Sequence, residues 1–153
     1  MIRSALLLSL SLCLAPGCNG SDCNKLAGAV VTSFNLDFSR VAITKQLNGG
    51  TFTAMILEYI NENVGDCAKE KKCPIPVKVV ANAPVEPNTE HDLIKKGALL
   101  RVMPDMSQFQ NLDKGFIKFD GLGGDIDGEF YGTFIDGSTI NGDFCGGVIE
   151  VNN

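Results

Sequence analysis

Two kinds of hydrophobic pattern follow one another along the chain. The first is an apolar run from Ala5 to Ala15 behind one basic residue, Arg3. It has no polar face to turn toward water, and it is shorter than the roughly 20 residues that a bilayer-crossing helix needs. Beyond it the pattern becomes alternation. Phe34, Leu36 and Phe38 alternate with polar neighbours, a period of two that predicts a strand from Ser33. Arg40 to Gln46 alternates less cleanly, and Leu47-Asn48-Gly49-Gly50 predicts a turn. The stretch from Thr51 to Val64 fits two patterns. Phe52, Met55, Ile56, Tyr59 and Ile60 share one helical face with Gly65 as a C-terminal cap, yet the β-formers and the preceding Asn-Gly-Gly favour a strand. Further strands are predicted at Val77 to Ala81 and at Leu93 to Met103, the latter with a bulge at Gly97. Residues 66–76, 82–92 and 104–114 read as loops.

The last forty residues carry the clearest pattern. Ten of the 17 glycines lie from Gly115 onward, which argues against helix there. Gly115 to Phe119 is a strand ending at the turn Asp120-Gly121. The heptad I-[DN]-G-[DE]-F-x-G then occurs twice, as Ile126 to Gly132 and as Ile140 to Gly146, with the turn signal Asp136-Gly137 between the copies. In a strand, its Ile, Gly, Phe and Gly all point to one face. Ile and Phe supply core contacts, and Gly leaves room for a neighbouring ring. The predicted element is a β-hairpin of two similar strands. Short strands with turns every eight to fourteen residues indicate an all-β chain, a single antiparallel β-sandwich or small barrel.

Composition narrows the possible functions. The chain has 153 residues, 44% of them hydrophobic, enough for one core and too few for a multidomain enzyme. Its 13 Lys and Arg stand against 18 Asp and Glu, a net charge of −5 that argues against nucleic acid as a partner. Arg3, the short apolar run and the small residues after it describe an export signal over residues 1–17. The expected organisation is therefore a signal at 1–17, a tether at 18–32 and a β domain at 33–153.

Leu14-Ala15-Pro16-Gly17-Cys18 resembles the lipobox of bacterial lipoproteins, in which the Cys is lipidated and becomes the first residue of the mature chain. Ala15 and Pro16 depart from the usual pattern, and an ordinary signal-peptidase cut would fall at the same bond. Cysteine arithmetic points to Cys18 as well. Of six Cys, Cys13 leaves with the signal and five remain, an odd number in an exported chain. If Cys18 is acylated, Cys23, Cys67, Cys73 and Cys145 are left for two disulfides in an oxidising compartment. Three pairings are open. The preferred one joins Cys67 to Cys73 around a short loop and Cys23 to Cys145 across the termini, each bridge contributing roughly 2–4 kcal/mol. Without a C-x-x-C or a second His beside His91, the spacing does not suit zinc.

The order of the pieces resembles a loose group of small predicted bacterial lipoproteins. The features shared are the lipobox, the strand Arg40 to Thr44, the run Phe52 to Ile60 and the closing hairpin Ile126 to Val148. The group has no assigned biochemical activity. The resemblance implies an envelope location and a β fold, with the acyl chains holding the protein to a membrane; Asn19 rather than Asp after the lipid site favours the outer membrane over the inner. It implies no catalytic residue.

Candidate chemistry is sparse. His91 with Ser107 or Ser138 lacks a nucleophile elbow, and His91 reads as a solvated loop residue. Asp125, Asp127 and Glu129 share one strand face at roughly 7 Å spacing, the range of paired glycosidase carboxylates. Asp120, Asp125 and Asp127 in a Gly-rich loop also offer oxygen ligands for calcium. The function expected is a non-enzymatic binding or structural module of the envelope, with a protein or glycan partner. The alternatives are a small hydrolase or carbohydrate-active protein using Asp125, Asp127 and Glu129, and a protease or lysozyme inhibitor whose contacts come from loops 66–76 and 82–92.

Overall fold

A computed structural model describes residues 23–70, 72–102, 109 and 111–153. The expected signal, Cys18 and Ser107 lie outside the described residues. The chain opens with Lys25–Ala27 (β1) and a short helix, Ala29–Phe34 (α1). Arg40–Asn48 (β2) and Thr51–Ile60 (β3) form a hairpin around Gly49 and Gly50, whose positive φ angles of 56° and 81° suit residues without a side chain. The ambiguous segment after Thr51 is thus a strand. One helical turn, Cys67–Glu70 (α2), precedes Ile75–Asn82 (β4). Then come His91–Asp92 (β5), Leu93–Lys96 (α3) and Gly97–Val102 (β6). Leu112–Phe119 (β7), Asp125–Phe134 (β8) and Thr139–Asn152 (β9) complete the order.

The strands lie side by side as β5-β7-β8-β9-β2-β3-β4-β6, with β1 also on β9. The fold is all-β, a sheet curled into a nearly closed small barrel. β9 is shared by its two halves: residues 125–133 of β8 pair with its first part, and Ile43 to Leu47 of β2 pair with Val148 to Asn152. The β2–β9 pair is parallel and every other pair is antiparallel. β5 and β6, the two ends of the spatial order, are joined in sequence by the four residues of α3, which pack against β4, β6 and β7 and fill the seam.

The repeated heptad pairs with its own copy. Ile126 faces Gly146, Gly128 faces Phe144, Phe130 faces Gly142 and Gly132 faces Ile140. Each large residue of one copy therefore sits opposite a glycine of the other. A methyl group added at Gly128 would fall on the Phe144 ring and the Lys118 carbonyl; one at Gly142 would meet the Phe130 ring. Phe130 and Phe144 are both 1% exposed. The glycines make the floor, and the rings fill the space at close-packed density.

Tyr59 of β3 crosses this core. Its hydroxyl donates to the Asp143 carbonyl at 2.8 Å and lies 3.4 Å from that of Lys25. Burial, with the Asp143 charge second, raises the phenol above its ordinary range. Phe38 and Phe130 meet its ring edge-on from two sides.

Three expectations are corrected. No strand runs from Ser33: α1 occupies Ala29–Phe34, Asn35 closes it at φ 48°, and β2 begins at Arg40. Leu36 drops into the core while Phe34 stays 40% exposed, so the period of two came from an irregular segment. The tether expected over 18–32 is folded from at least Lys25 onward, because β1 pairs with β9 and Val30 is buried. Gly28, at φ 110°, makes that entry turn against the Thr139 carbonyl. Finally, the strand predicted from Leu93 starts only at Gly97. Asp92 accepts hydrogen bonds from the Ile94 and Lys95 amides at 2.9 and 3.1 Å and starts a helical turn instead. Gly97 is no bulge; a methyl there would strike the Val80 carbonyl.

Candidate functional site

Alternation along β7, β8 and β9 sends Ile117, Phe119, Ile126, Phe130, Ile140 and Phe144 inward and a second set of residues outward. Cross-strand register arranges the outward set in rows. One row runs Asp92, Phe116, Tyr131, Asn141 across β5, β7, β8 and β9; the next runs Lys118, Glu129, Asp143, Lys25 across β7, β8, β9 and β1. Asp127 stands opposite Cys145, and Cys145 is joined to Cys23. The second disulfide, Cys67–Cys73, closes the loop at α2. Both are the preferred pairs.

The sequence-predicted carboxylates fall on this face but do not converge. Asp125, Asp127 and Glu129 are all exposed on the outside of the barrel. Asp120 holds the β7–β8 turn: its Oδ1 accepts from the Asp127 amide at 2.7 Å, and its own amide donates to the Asp127 carbonyl at 3.0 Å. Among the described residues, no three His, Cys, Asp or Glu side chains are grouped to hold a metal ion. Asp120, Asp127 and Glu129, with Asn88, Lys118 and Asp143, line a shallow hollow of about 240 Å³. Asp125 is not part of it.

His91 is not the solvated loop residue expected. It is 7% exposed in β5, and its Nε2 bonds the Lys96 carbonyl at 2.8 Å, across the α3 turn. Ser138 is held in the β8–β9 turn, its hydroxyl donating to Asp136 Oδ1 at 2.6 Å. That hydroxyl, with the Ser138 amide second, holds the Asp136 carboxyl below its usual range.

A larger hollow, about 470 Å³, went unnoticed in the sequence. It is lined by Glu90, Asp92, Ile94, Asp113, Lys114, Phe116 and Tyr131. The Phe116 and Tyr131 rings lie 6.0 Å apart at a 30° tilt, and Thr133 donates to the Tyr131 hydroxyl at 2.7 Å. The sequence signal was present: Phe116 and Tyr131 occupy outward positions beside inward Ile117 and Phe130. Seeing them as a pair required the β7–β8 register. The Lys95 amide, ahead of the Ile94 amide and the Lys95 ammonium, holds the Asp92 carboxyl below its usual range.

No family model matches the chain, and neither a curated protein nor a solved structure does. No helix among the described residues is long and apolar enough to cross a membrane.

Proposed function

We propose that the protein is a lipid-anchored binding module of the bacterial cell envelope, without enzymatic activity of its own. The observation that carries this is the cysteine pairing. Cys23 with Cys145 and Cys67 with Cys73 account for four of the six cysteines. Paired cysteines suit an oxidising, exported location. After removal of residues 1–17 the remaining thiol is Cys18, at the position where the lipobox-like segment places an acylated N-terminus. Stable attachment takes more than one acyl chain, and the acidic body offers no electrostatic help on anionic headgroups. Asn19 favours the outer membrane as the destination.

The non-enzymatic part is supported by the outward placement of Asp125, Asp127 and Glu129 beside a shallow hollow, where water screens them. Intact-mass measurement of the membrane-extracted protein tests the proposal. The expected mass is that of a chain beginning at Cys18, with acyl groups added and four hydrogens lost to two disulfides. A chain beginning at Met1 with free thiols overturns it.

A further inference from the structure

The larger hollow joins aromatic surface to negative charge. Tyr131 and Thr133 lie two positions apart on β8, roughly 7 Å along a strand. A hydroxyl that reaches Thr133 means the Tyr131 ring leans along the strand rather than standing off it. With Phe116 beside it, the two rings floor the hollow, and Ile94, 52% exposed, forms an apolar lip. Glu90, Asp92 and Asp113 surround the rings, against Lys114 in the hollow and Lys95, whose ammonium pairs with Asp92 at 3.4 Å. The neighbouring hollow on the same face adds Asp120, Asp127, Glu129 and Asp143 against Lys118. Glu129 stands directly opposite Asp143, a pairing of like charges that is unfavourable across strands, with Lys118 opposite Glu129 and Lys25 opposite Asp143 on their outer sides. Among the described residues, neither joins an ion pair.

We infer that this outer face binds an extended, arginine-bearing segment of a partner protein. Resting on the binding-module function proposed above, the inference names the partner's chemistry. A guanidinium is planar, stacks on aromatic rings and pairs with carboxylates in a fork geometry, so it matches both components of the larger hollow. Phe116 and Lys118, one in each hollow, are two residues apart on β7. An extended segment places alternate side chains on one face at that same spacing. An Arg-x-Arg sequence therefore puts one guanidinium over the rings and the next between Glu129 and Asp143. The surplus of acid also speeds the encounter with a basic segment.

The test is calorimetric titration of the full disulfide-bonded protein, extracted from membranes, with an alternating Arg-Thr hexapeptide, its Glu-Thr counterpart and a neutral glucose oligomer. The Arg-Thr peptide is expected to bind, and binding should weaken several-fold as salt rises. Charge reversal at two exposed positions, Glu90→Lys with Asp113→Lys, is expected to weaken it roughly tenfold, the scale of 1.4 kcal/mol. Tyr131→Ala should do the same, but Tyr131 is half-buried, so the reversal at exposed positions decides if that variant fails to fold. Binding of the Glu-Thr peptide, indifference to the charge reversal, or no binding at all overturns the inference. Binding of the glucose oligomer in its place overturns it in favour of a glycan platform. An acylated protein that ignores the Arg-Thr peptide overturns only this surface. An unacylated one that binds it overturns only the anchor.

Discussion

Tyr59 shows what a single polar atom costs and contributes in this core. Its hydroxyl serves the Asp143 carbonyl from the opposite side of the barrel. Tyr59→Phe removes that hydrogen bond and should cost about 1 kcal/mol in a denaturant titration. It also changes the alkaline limb. The folded state holds the phenol proton, whereas the unfolded chain releases it near pH 10.0, so the wild type loses stability as pH rises past that value. Melting curves between pH 8 and 11 should fall more steeply for the wild type than for Tyr59→Phe. The glycines of the repeat make a sharper prediction. Gly128→Ala and Gly142→Ala each force a ring out of place and should cost about 1–3 kcal/mol or more. Gly123→Ala meets nothing within 4 Å and should leave the melting temperature nearly unchanged.

Elements differ in how far local sequence specifies them. The β8–β9 hairpin was legible because its Gly and Phe positions repeat with the strand period and each copy complements the other. The β2–β3 hairpin was legible from Asn48-Gly49-Gly50. In contrast, Phe34, Leu36 and Phe38 carry the strand period without a strand, because one is exposed, one buried in the core and one packed on Tyr59. α3 was missed because its signal is one side chain: Asp92 fixes two amides and turns a β-like run into a helical turn. Its carboxyl is depressed in the folded state, so its support is present at neutral pH and is lost as pH falls through that lowered value. Asp92→Ala should lower the melting temperature by a few degrees at pH 7, and the difference from wild type should shrink under acid conditions. His91, whose ring bonds the carbonyl at the far end of the same turn, gave no hint of burial in a Pro- and Asn-rich stretch. The carboxylate face followed from the strand period, and the disulfide pairs are the preferred one of three pairings that the sequence left open. The aromatic pair beside that face was not legible, since it depends on which strands are neighbours.

The whole molecule is held by contacts between distant parts of the chain. Cys23–Cys145 spans 122 residues and Cys67–Cys73 only 6. Loop-closure entropy then assigns about 5 kcal/mol to the first and about 2 to the second. Replacing Cys23 and Cys145 with Ser should accordingly destabilise the protein far more than the same change at Cys67 and Cys73, as read by urea midpoints. The parallel β2–β9 contact was invisible to any local pattern, because its partners are about 105 residues apart. β9 gives β1, β2 and β8 a neighbour, and it comes last among the described strands. A ribosome has therefore delivered every other strand before the one that joins the two halves emerges. Until then the nascent polypeptide has no complete sheet to settle into, and non-local pairing of this kind is slow in any case. A chain built in this order stays loose until synthesis is nearly done, which suits the export proposed above.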